Sequence, residues 1–468
     1  MPSVRTRFAP SPTGNLHIGG ARTALYSYLW AKKNGGEFLL RIEDTDRTRY
    51  QAGAEDSIYE GLNWLGLHWD GEVVKQSTRT AVYQQHAEQL VQAGKAYHCF
   101  CSSERLELMR DIQQKKGRAP KYDKTCLRLS PADVHTKLQH GEPHVIRLNI
   151  ADSGTVRITD LVRGVIEFRC EELDDQILLK SDGFPTYHLA VVVDDHAVGI
   201  THVIRGEEWI PSTPKHVLLY QAFGWEPPVF AHLSLFMNKG GGKLSKREGA
   251  TALLEYRTLG YLPEAVVNFM AFLGWNPKST EEFFTLPELA QAFDLTHVNT
   301  ANPIFDTEKL DWYNGHYVRK LSPQELLNYC RPYLPNQTDD YLLKIITLEQ
   351  ERLKKLSDIT DLTDFFFQDH LSYDPSLLIW KKSNAADTKN YLISLMATLT
   401  ELTDWSTNHL ETIIVDWIKE QHWGNGDVLW PMRVALSGKK ASPPPFAIAA
   451  ILGKERTLAR IQVAINLL

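Results

Sequence analysis

An apolar run from Val4 to Phe8 precedes a stretch from Leu16 to Lys33 in which Leu25 and Leu29 share one helical face, and a second apolar run follows from Phe38 to Ile42. Gly35-Gly36 supplies the left-handed cap that ends a helix. This order predicts strand, helix and parallel strand, the opening unit of a doubly wound α/β sheet. From 97 to 181 the texture changes to mixed charge with short strand-like runs at Val145 to Leu148 and Val165 to Arg169, and reads as an α+β insertion. Parallel-strand character resumes in Thr186 to Asp195 and in Thr201 to Arg205. Beyond Thr251 the spacing turns helical, with a stripe of Ala265, Phe269, Phe272 and Leu273, and stays so to Leu468. Breaks at Leu321-Ser322-Pro323, Tyr373-Asp374-Pro375 and Ser442-Pro443-Pro444-Pro445 divide this mainly α-helical carboxyl-terminal half.

At 468 residues the chain predicts about three domains, and its 43% hydrophobic content supports real cores. The start of the sequence lacks the apolar core of a secretion signal, and no apolar run approaches the roughly 18 residues of a membrane span. Five cysteines fit a reducing compartment better than a disulfide framework. A cytoplasmic protein without membrane contact is expected. The net charge of −6 excludes a nucleic-acid binder that works by bulk charge, so any such surface must be local. Candidate basic patches are Lys115, Lys116, Arg118, Lys121 and Lys124; Arg352, Lys354 and Lys355; and Lys439 with Lys440.

Two distant segments suit one triphosphate gripped from two sides. Ser11-Pro12-Thr13-Gly14-Asn15-Leu16-His17-Ile18-Gly19-Gly20 links the first strand to the first helix, placing backbone N–H groups and a positive helix end where phosphate would sit. There His17 is either a donor to a charged phosphate oxygen or a plain surface histidine. Lys243-Leu244-Ser245-Lys246-Arg247 follows Gly240-Gly241-Gly242, and its two lysines suit a loose, charge-spread transition state. Arg7, Arg205 and Glu43 end apolar runs and could converge on one crevice. Two guanidiniums with one carboxylate would fit an acidic amino acid, and structural salt bridges among the three are the alternative. Cys99, Cys101 and Cys126, with His98 or Tyr122 as a fourth ligand, form either part of a zinc site or a set of buried thiols.

Long motifs in fixed order resemble those of the bacterial glutamyl-tRNA synthetases, among the class I aminoacyl-tRNA synthetases. They are Arg7-Phe8-Ala9-Pro10-Ser11-Pro12-Thr13-Gly14, Arg41-Ile42-Glu43-Asp44-Thr45-Asp46, Thr186 to Ala190, Val203 to Trp209, Lys243 to Arg247 and Leu452-Gly453-Lys454-Glu455. The resemblance implies a Rossmann-like catalytic domain at 1–96 and 182–250, an acceptor-end domain at 97–181, a stem-contact domain at 251–321 and a helical anticodon-binding region at 322–468. It implies an ATP site built from Ser11, Pro12, Thr13, His17, Gly19, Gly20, Glu208, Lys243, Ser245 and Lys246, with His17, Lys243 and Lys246 acting in catalysis. Glutamate falls to Arg7, Ala9, Ser11, Glu43, Tyr187, Arg205 and Trp209. ATP, Mg2+ and L-glutamate would form glutamyl adenylate, which the 2′-hydroxyl of the terminal adenosine of tRNA(Glu) attacks. A monomer is implied.

Arg128 stands where zinc-bearing relatives place a histidine, which argues against zinc at Cys99, Cys101, Tyr122 and Cys126. Three prolines, Pro443 to Pro445, replace the usual proline and glycine. A truncated paralog that glutamylates a tRNA base lacks the helical region present here. Glutaminyl-tRNA synthetase differs after Gly20, and an inactive tRNA-binding relative is disfavoured by intact His17, Glu43, Lys243 and Lys246. Whether tRNA(Gln) is charged as well depends on anticodon contacts that the sequence does not specify.

Overall fold

A computed structural model describes residues 3–46, 48–242 and 252–468. Its contacts fall into two units, Met1–Thr258 with Pro263–Thr307, and Leu259–Leu262 with Glu308–Leu468. In the first, β1 (Arg5–Phe8) leads through α1 (Ile18–Lys33) to β2 (Glu37–Ile42), parallel to β1 with Arg5 opposite Glu37. The helix forms because Ile18, Ala21, Leu25 and Leu29 recur on one buried face, while Lys32 and Lys33 sit at the end its dipole favours for cations. After α2 (Ala54–Trp64), β3 (Val74–Lys75) extends the parallel sheet.

Next come α3 (Thr80–Gln92), β4 (Ala96–Cys99), α4 (Ser103–Lys115), α5 (Pro131–Gln139), β5 (Val145–Leu148), β6 (Thr155–Asp160), β7 (Gly164–Arg169) and β8 (Ile177–Leu179). β4, β5 and β8 pair antiparallel as a small sheet of their own. The chain continues through α6 (Tyr187–Ala197), β9 (His202–Gly206), α7 (Thr213–Phe223) and β10 (Val229–Leu233). β9 and β10 lie parallel, β6 joins β10 in parallel, and β7 turns back antiparallel on β6. Thr201 N donates to Arg5 O at 2.9 Å, tying the start of β9 to β1.

Two expectations are corrected. The sheet structure is mixed, not one doubly wound parallel sheet. The connection from β6 to β7 is too short for the crossover of a dozen or more residues that parallel neighbours need, so the pair can only be a hairpin. Thr186 to Asp195, read as a strand, is most of α6. Its apolar run is buried all round, from Leu189 to Asp195, and periodicity alone does not separate a buried strand from a buried helix. Inside the stretch 97–181, β6 pairs with β10 at Asp160 and β7 pairs with β6.

The first unit closes with α8 (Leu253–Thr258), α9 (Pro263–Phe272) and α10 (Leu286–Ala292). The second unit contains α11 (Thr307–Lys320), α12 (Pro323–Cys330), α13 (Asp339–Glu349), α14 (Asp358–Thr363), α15 (Ala385–Glu401), α16 (Thr407–Glu420), α17 (Asn425–Ser437) and α18 (Pro445–Leu467). Ser322 and Glu325 close a capping box at α12, and Pro445 opens α18, so two of the breaks read from the sequence are helix starts. α18 kinks at Gly453, whose φ of +76° lies in the left-handed region that favours glycine. Among the described residues no helix is long and apolar enough to cross a membrane.

Candidate active site

Three joined cavities open at the carboxyl ends of β1, β2 and β9 in the first unit. One of about 330 Å³ is lined by His17, Gly19, Gly20, Arg22, Glu208 and Phe236, among others. A second, about 230 Å³, holds Arg7, Ala9, Ser11, Glu43, Tyr187, Arg205 and Trp209, and shares Gly20, Gly206 and Glu208 with the first. A third, about 440 Å³, meets the second at Ser11, Glu43, Tyr187 and Trp209 and runs out past Asp46, Arg49 and Phe184.

His17 is the N-cap of α1, and its Nδ1 accepts from Gly19 N at 3.0 Å. That bond fixes the proton on Nε2 and makes Nε2 the donor of a neutral ring. Pro12 and Thr13 shape the turn beneath it, with Thr13 N donating to Ser11 O at 2.8 Å and Gln51 N to Pro12 O at 3.0 Å. Glu208 folds back over Gly206 so closely that a Cβ there would lie 2.1 Å from its Oε2 and would push the carboxylate aside. Arg22, unremarked in the sequence, is buried beside the first cavity, donates to Leu273 O at 3.0 Å and to Ser234 O, and stacks 4.2 Å from the Phe236 ring. Lys243, Ser245 and Lys246 lie outside the described residues.

The second cavity is built on buried charge. Arg7 Nε donates to Asp195 Oδ1 at 3.1 Å, Arg41 Nη1 donates to the same oxygen at 2.6 Å, and Arg41 Nη2 donates to Glu43 Oε1 at 3.0 Å. Burial raises the pKa of Asp195, but the Arg41 and Arg7 guanidiniums outweigh it and hold the carboxyl below its ordinary value. For Glu43 burial wins over Arg41, and its pKa is raised. Asp194 is held by Gln76 at 2.9 Å, Arg79 at 2.9 Å and Tyr83 at 2.8 Å.

Arg205 differs. Its Nε donates to His232 Nε2 at 3.1 Å, Nη1 to the Tyr187 hydroxyl at 3.2 Å and to His216 Nδ1 at 3.2 Å, and Nη2 to Thr213 Oγ1 at 2.9 Å. It is 5% exposed, and among the described residues it makes no ion pair. Salt bridges among Arg7, Arg205 and Glu43, the alternative left open by the sequence, do not form: Arg7 pairs with Asp195 and Glu43 with Arg41. Tyr187 and Trp209 close one wall with ring centroids 4.4 Å apart.

Apart from these cavities, the ligand atoms of Cys99, Cys101 and Cys126 lie within 4.8 Å of one another. The Tyr122 hydroxyl is 3.2 Å from Cys101 Sγ, Arg105 Nη1 reaches the same sulfur at 3.3 Å, and Arg147 lies 4.4 Å over the Tyr122 ring. Arg128 is exposed, and the oxygen beside the sulfurs is the Tyr122 hydroxyl. In the second unit Arg352 Nη1 donates to Glu349 Oε2 at 2.6 Å and Lys355 lies 3.7 Å from Asp358, while Lys354 is exposed. Lys124, counted in a basic patch, is buried against Asp152 at 2.9 Å.

Residues 3–312 match the family described as class I tRNA synthetases (E and Q), catalytic domain, and residues 325–465 match an anticodon binding domain. The chain is 42% identical to a glutamate–tRNA ligase of Treponema denticola over 99% of both chains. It is 45% identical to one of Clostridium tetani, over 99% of this chain and 97% of the other. The solved glutamate tRNA ligase of Elizabethkingia meningosepticum, in complex with its amino acid, superposes with a TM-score of 0.91 at 37% identity, covering 99% of each chain.

Proposed function

The chain belongs to the class I tRNA synthetases of the glutamyl and glutaminyl group, and on that premise we propose that its three joined cavities receive ATP, L-glutamate and the terminal adenosine of tRNA. The protein is a glutamate–tRNA ligase: it joins L-glutamate to tRNA(Glu) with ATP, through glutamyl adenylate and then transfer to the tRNA. In our reading the first cavity takes ATP. His17 Nε2 and the start of α1 face the phosphates as charge grows on them, and Lys243 and Lys246 approach from the other side. Magnesium, when bound, neutralises triphosphate charge.

The second cavity takes glutamate, with Arg205 and Arg7 on its carboxylates and Glu43 on its ammonium group. The observation that carries this assignment is Arg205: a buried guanidinium whose protein contacts are all neutral calls for an anion from outside. A carboxylate answers that demand, and an uncharged amide does not. The test is Arg205→Ala assayed by pyrophosphate exchange with tRNA present. Glutamate KM rises at least a hundredfold with ATP KM within about threefold, and an unchanged glutamate KM removes Arg205 from the pocket. Charging of purified tRNA(Glu) and tRNA(Gln) by the same preparation decides between a discriminating and a non-discriminating enzyme.

The third cavity then admits the acceptor end, which 97–181 would guide, with 251–321 on the stem and 322–468 on the anticodon. The reading takes the enzyme as a cytoplasmic monomer. It keeps the thiol cluster as a candidate zinc site: Cys99, Cys101 and Cys126 would hold the ion with the Tyr122 hydroxyl beside them as an oxygen donor, next to Arg147 and an Arg105 that is itself paired with Asp123. Such an ion would brace the β4 end structurally.

A further inference from the structure

We propose that His216 and His232 are positioning residues for amino-acid selection: two neutral imidazoles that accept from Arg205, fix its plane and leave its charge for the substrate carboxylate. This rests on the assignment of Arg205 to the glutamate pocket.

The register of the sheet sets the first of them. His232 on β10 lies directly opposite Arg205 on β9, and Arg205 Nε reaches its Nε2 at 3.1 Å. A guanidinium N–H can only donate, so that ring nitrogen must carry a lone pair and the proton must sit on Nδ1. Nδ1 lies 2.6 Å from Asp160 Oδ2, and Asp160 Oδ1 accepts from Val162 N and Arg163 N at 2.9 Å each. Both neighbours therefore select one tautomer. His216 repeats the arrangement from α7. Its Nδ1 stands 3.2 Å from Arg205 Nη1, and its Nε2 donates to His188 Nδ1 at 3.0 Å.

Contrast decides the meaning. Arg7 and Arg41 both meet the Asp195 carboxylate directly, and their charge is answered inside the protein. Behind His232 the Asp160 carboxylate is set one imidazole away from Arg205, so on this side the guanidinium gains an acceptor without gaining a counter-ion. Four of its five N–H donors are fixed in this way, which holds the group in one orientation before substrate arrives. Protonating either ring would turn an acceptor into a donor facing a donor. The groups facing His232 are Arg205, Asp160, Arg163 and Thr213, and those facing His216 are Arg205, His188, Arg7 and His232. Apart from Asp160 none of these favours the charged ring, and burial opposes it in both cases.

The test uses the full-length enzyme with tRNA(Glu) and pyrophosphate exchange. His232→Leu and His216→Leu should each raise glutamate KM about tenfold or more with ATP KM and kcat within about threefold, whereas His232→Gln and His216→Asn, which keep an acceptor, should recover most of the loss. Asp160→Asn is the sharper variant: its amide would donate to His232 Nδ1, drive the proton to Nε2, and raise glutamate KM as His232→Leu does. If the Leu variants do not fold, Asp160→Asn and the Gln and Asn variants decide alone, because only a positioning role separates them in glutamate KM. Unchanged glutamate KM in folded His232→Leu, His216→Leu or Asp160→Asn, with Arg205→Ala still defective, overturns the positioning role and leaves the pocket assignment standing. An unimpaired Arg205→Ala overturns the assignment itself.

Discussion

Arg41 and Asp195 meet at 2.6 Å beside the second cavity, a bond between the end of β2 and the end of α6 that joins residues 154 positions apart. Asp195 also takes Arg7, which has no other ion pair among the described residues, whereas Arg41 keeps Glu43 as a second partner; Arg7, Arg41 and Asp195 are each at most 5% exposed. Asp195→Asn keeps the shape and removes the charge. Stranding a buried cation costs about 3–5 kcal/mol, so the variant should unfold at distinctly lower denaturant, and any folded fraction should bind glutamate poorly because Arg7 loses its anchor. Wild-type stability would show that the pair is dispensable.

The lysine loop is tested by its absence. On the proposed ATP assignment, in which His17 and the start of α1 meet one side of the triphosphate and the lysine loop the other, Lys246→Ala should cut adenylate formation by a hundredfold or more, while tRNA affinity measured by filter binding stays within about twofold. Parallel loss of both would remove Lys246 from phosphate chemistry.

Glu349 gives a pH signature. It is fully buried, Oε2 accepts from Arg352 at 2.6 Å, Oε1 has no hydrogen-bond partner, and burial pushes its pKa up from 4.5 to about 7. The folded state therefore holds a proton that the unfolded chain releases. Its contribution is complete below about pH 4.5 and is lost as pH rises through about 7. Over that window stability should fall by an amount on the order of 3 kcal/mol attributable to this group, and Glu349→Gln should flatten that part of the curve in denaturant titrations at stepped pH.

Much of this was legible in the sequence because strand ends and loop motifs are local. Arg7, Glu43 and Arg205 were placed at one crevice from their positions after apolar runs, and the cavity does contain them. What stayed hidden were the partners that define their charge. Asp195 was visible only as the end of a supposed strand, and its role appears once α6 turns it inward on Arg7 and Arg41. His216 and His232 carry no motif, since the first is fixed by helix packing and the second by sheet register. Arg22 carries no signal in the sequence, and only its contacts with residues 234 and 273 make it a buried wall. Tyr122 was named beside the cysteines, but that its hydroxyl meets them is a fact of folding.

The cysteine cluster makes a stoichiometric statement. Purified, chelator-free protein should carry about one zinc per chain by elemental analysis, and Cys126→Ser should lower that content and loosen the β4 end without altering ATP KM. A metal-free wild-type preparation that remains fully folded would mean that the sulfurs are only packed together.

The basic residues at 352–355 divide by their partners. Arg352 is engaged with Glu349 and Lys355 stands by Asp358, whereas Lys354 points to solvent. Phosphate contacts release counterions, so each one lost lowers the slope of log affinity against log salt by about 0.9. Lys354→Ala should therefore weaken tRNA binding and reduce that slope by about one contact. Arg352→Ala should instead lower the stability of the second unit, because it leaves Glu349 without its cation, and should change the slope little. A slope unaltered in Lys354→Ala would assign the lysine to ordinary solvated surface, and an equal slope change in Arg352→Ala would show that its pairing with Glu349 yields to tRNA.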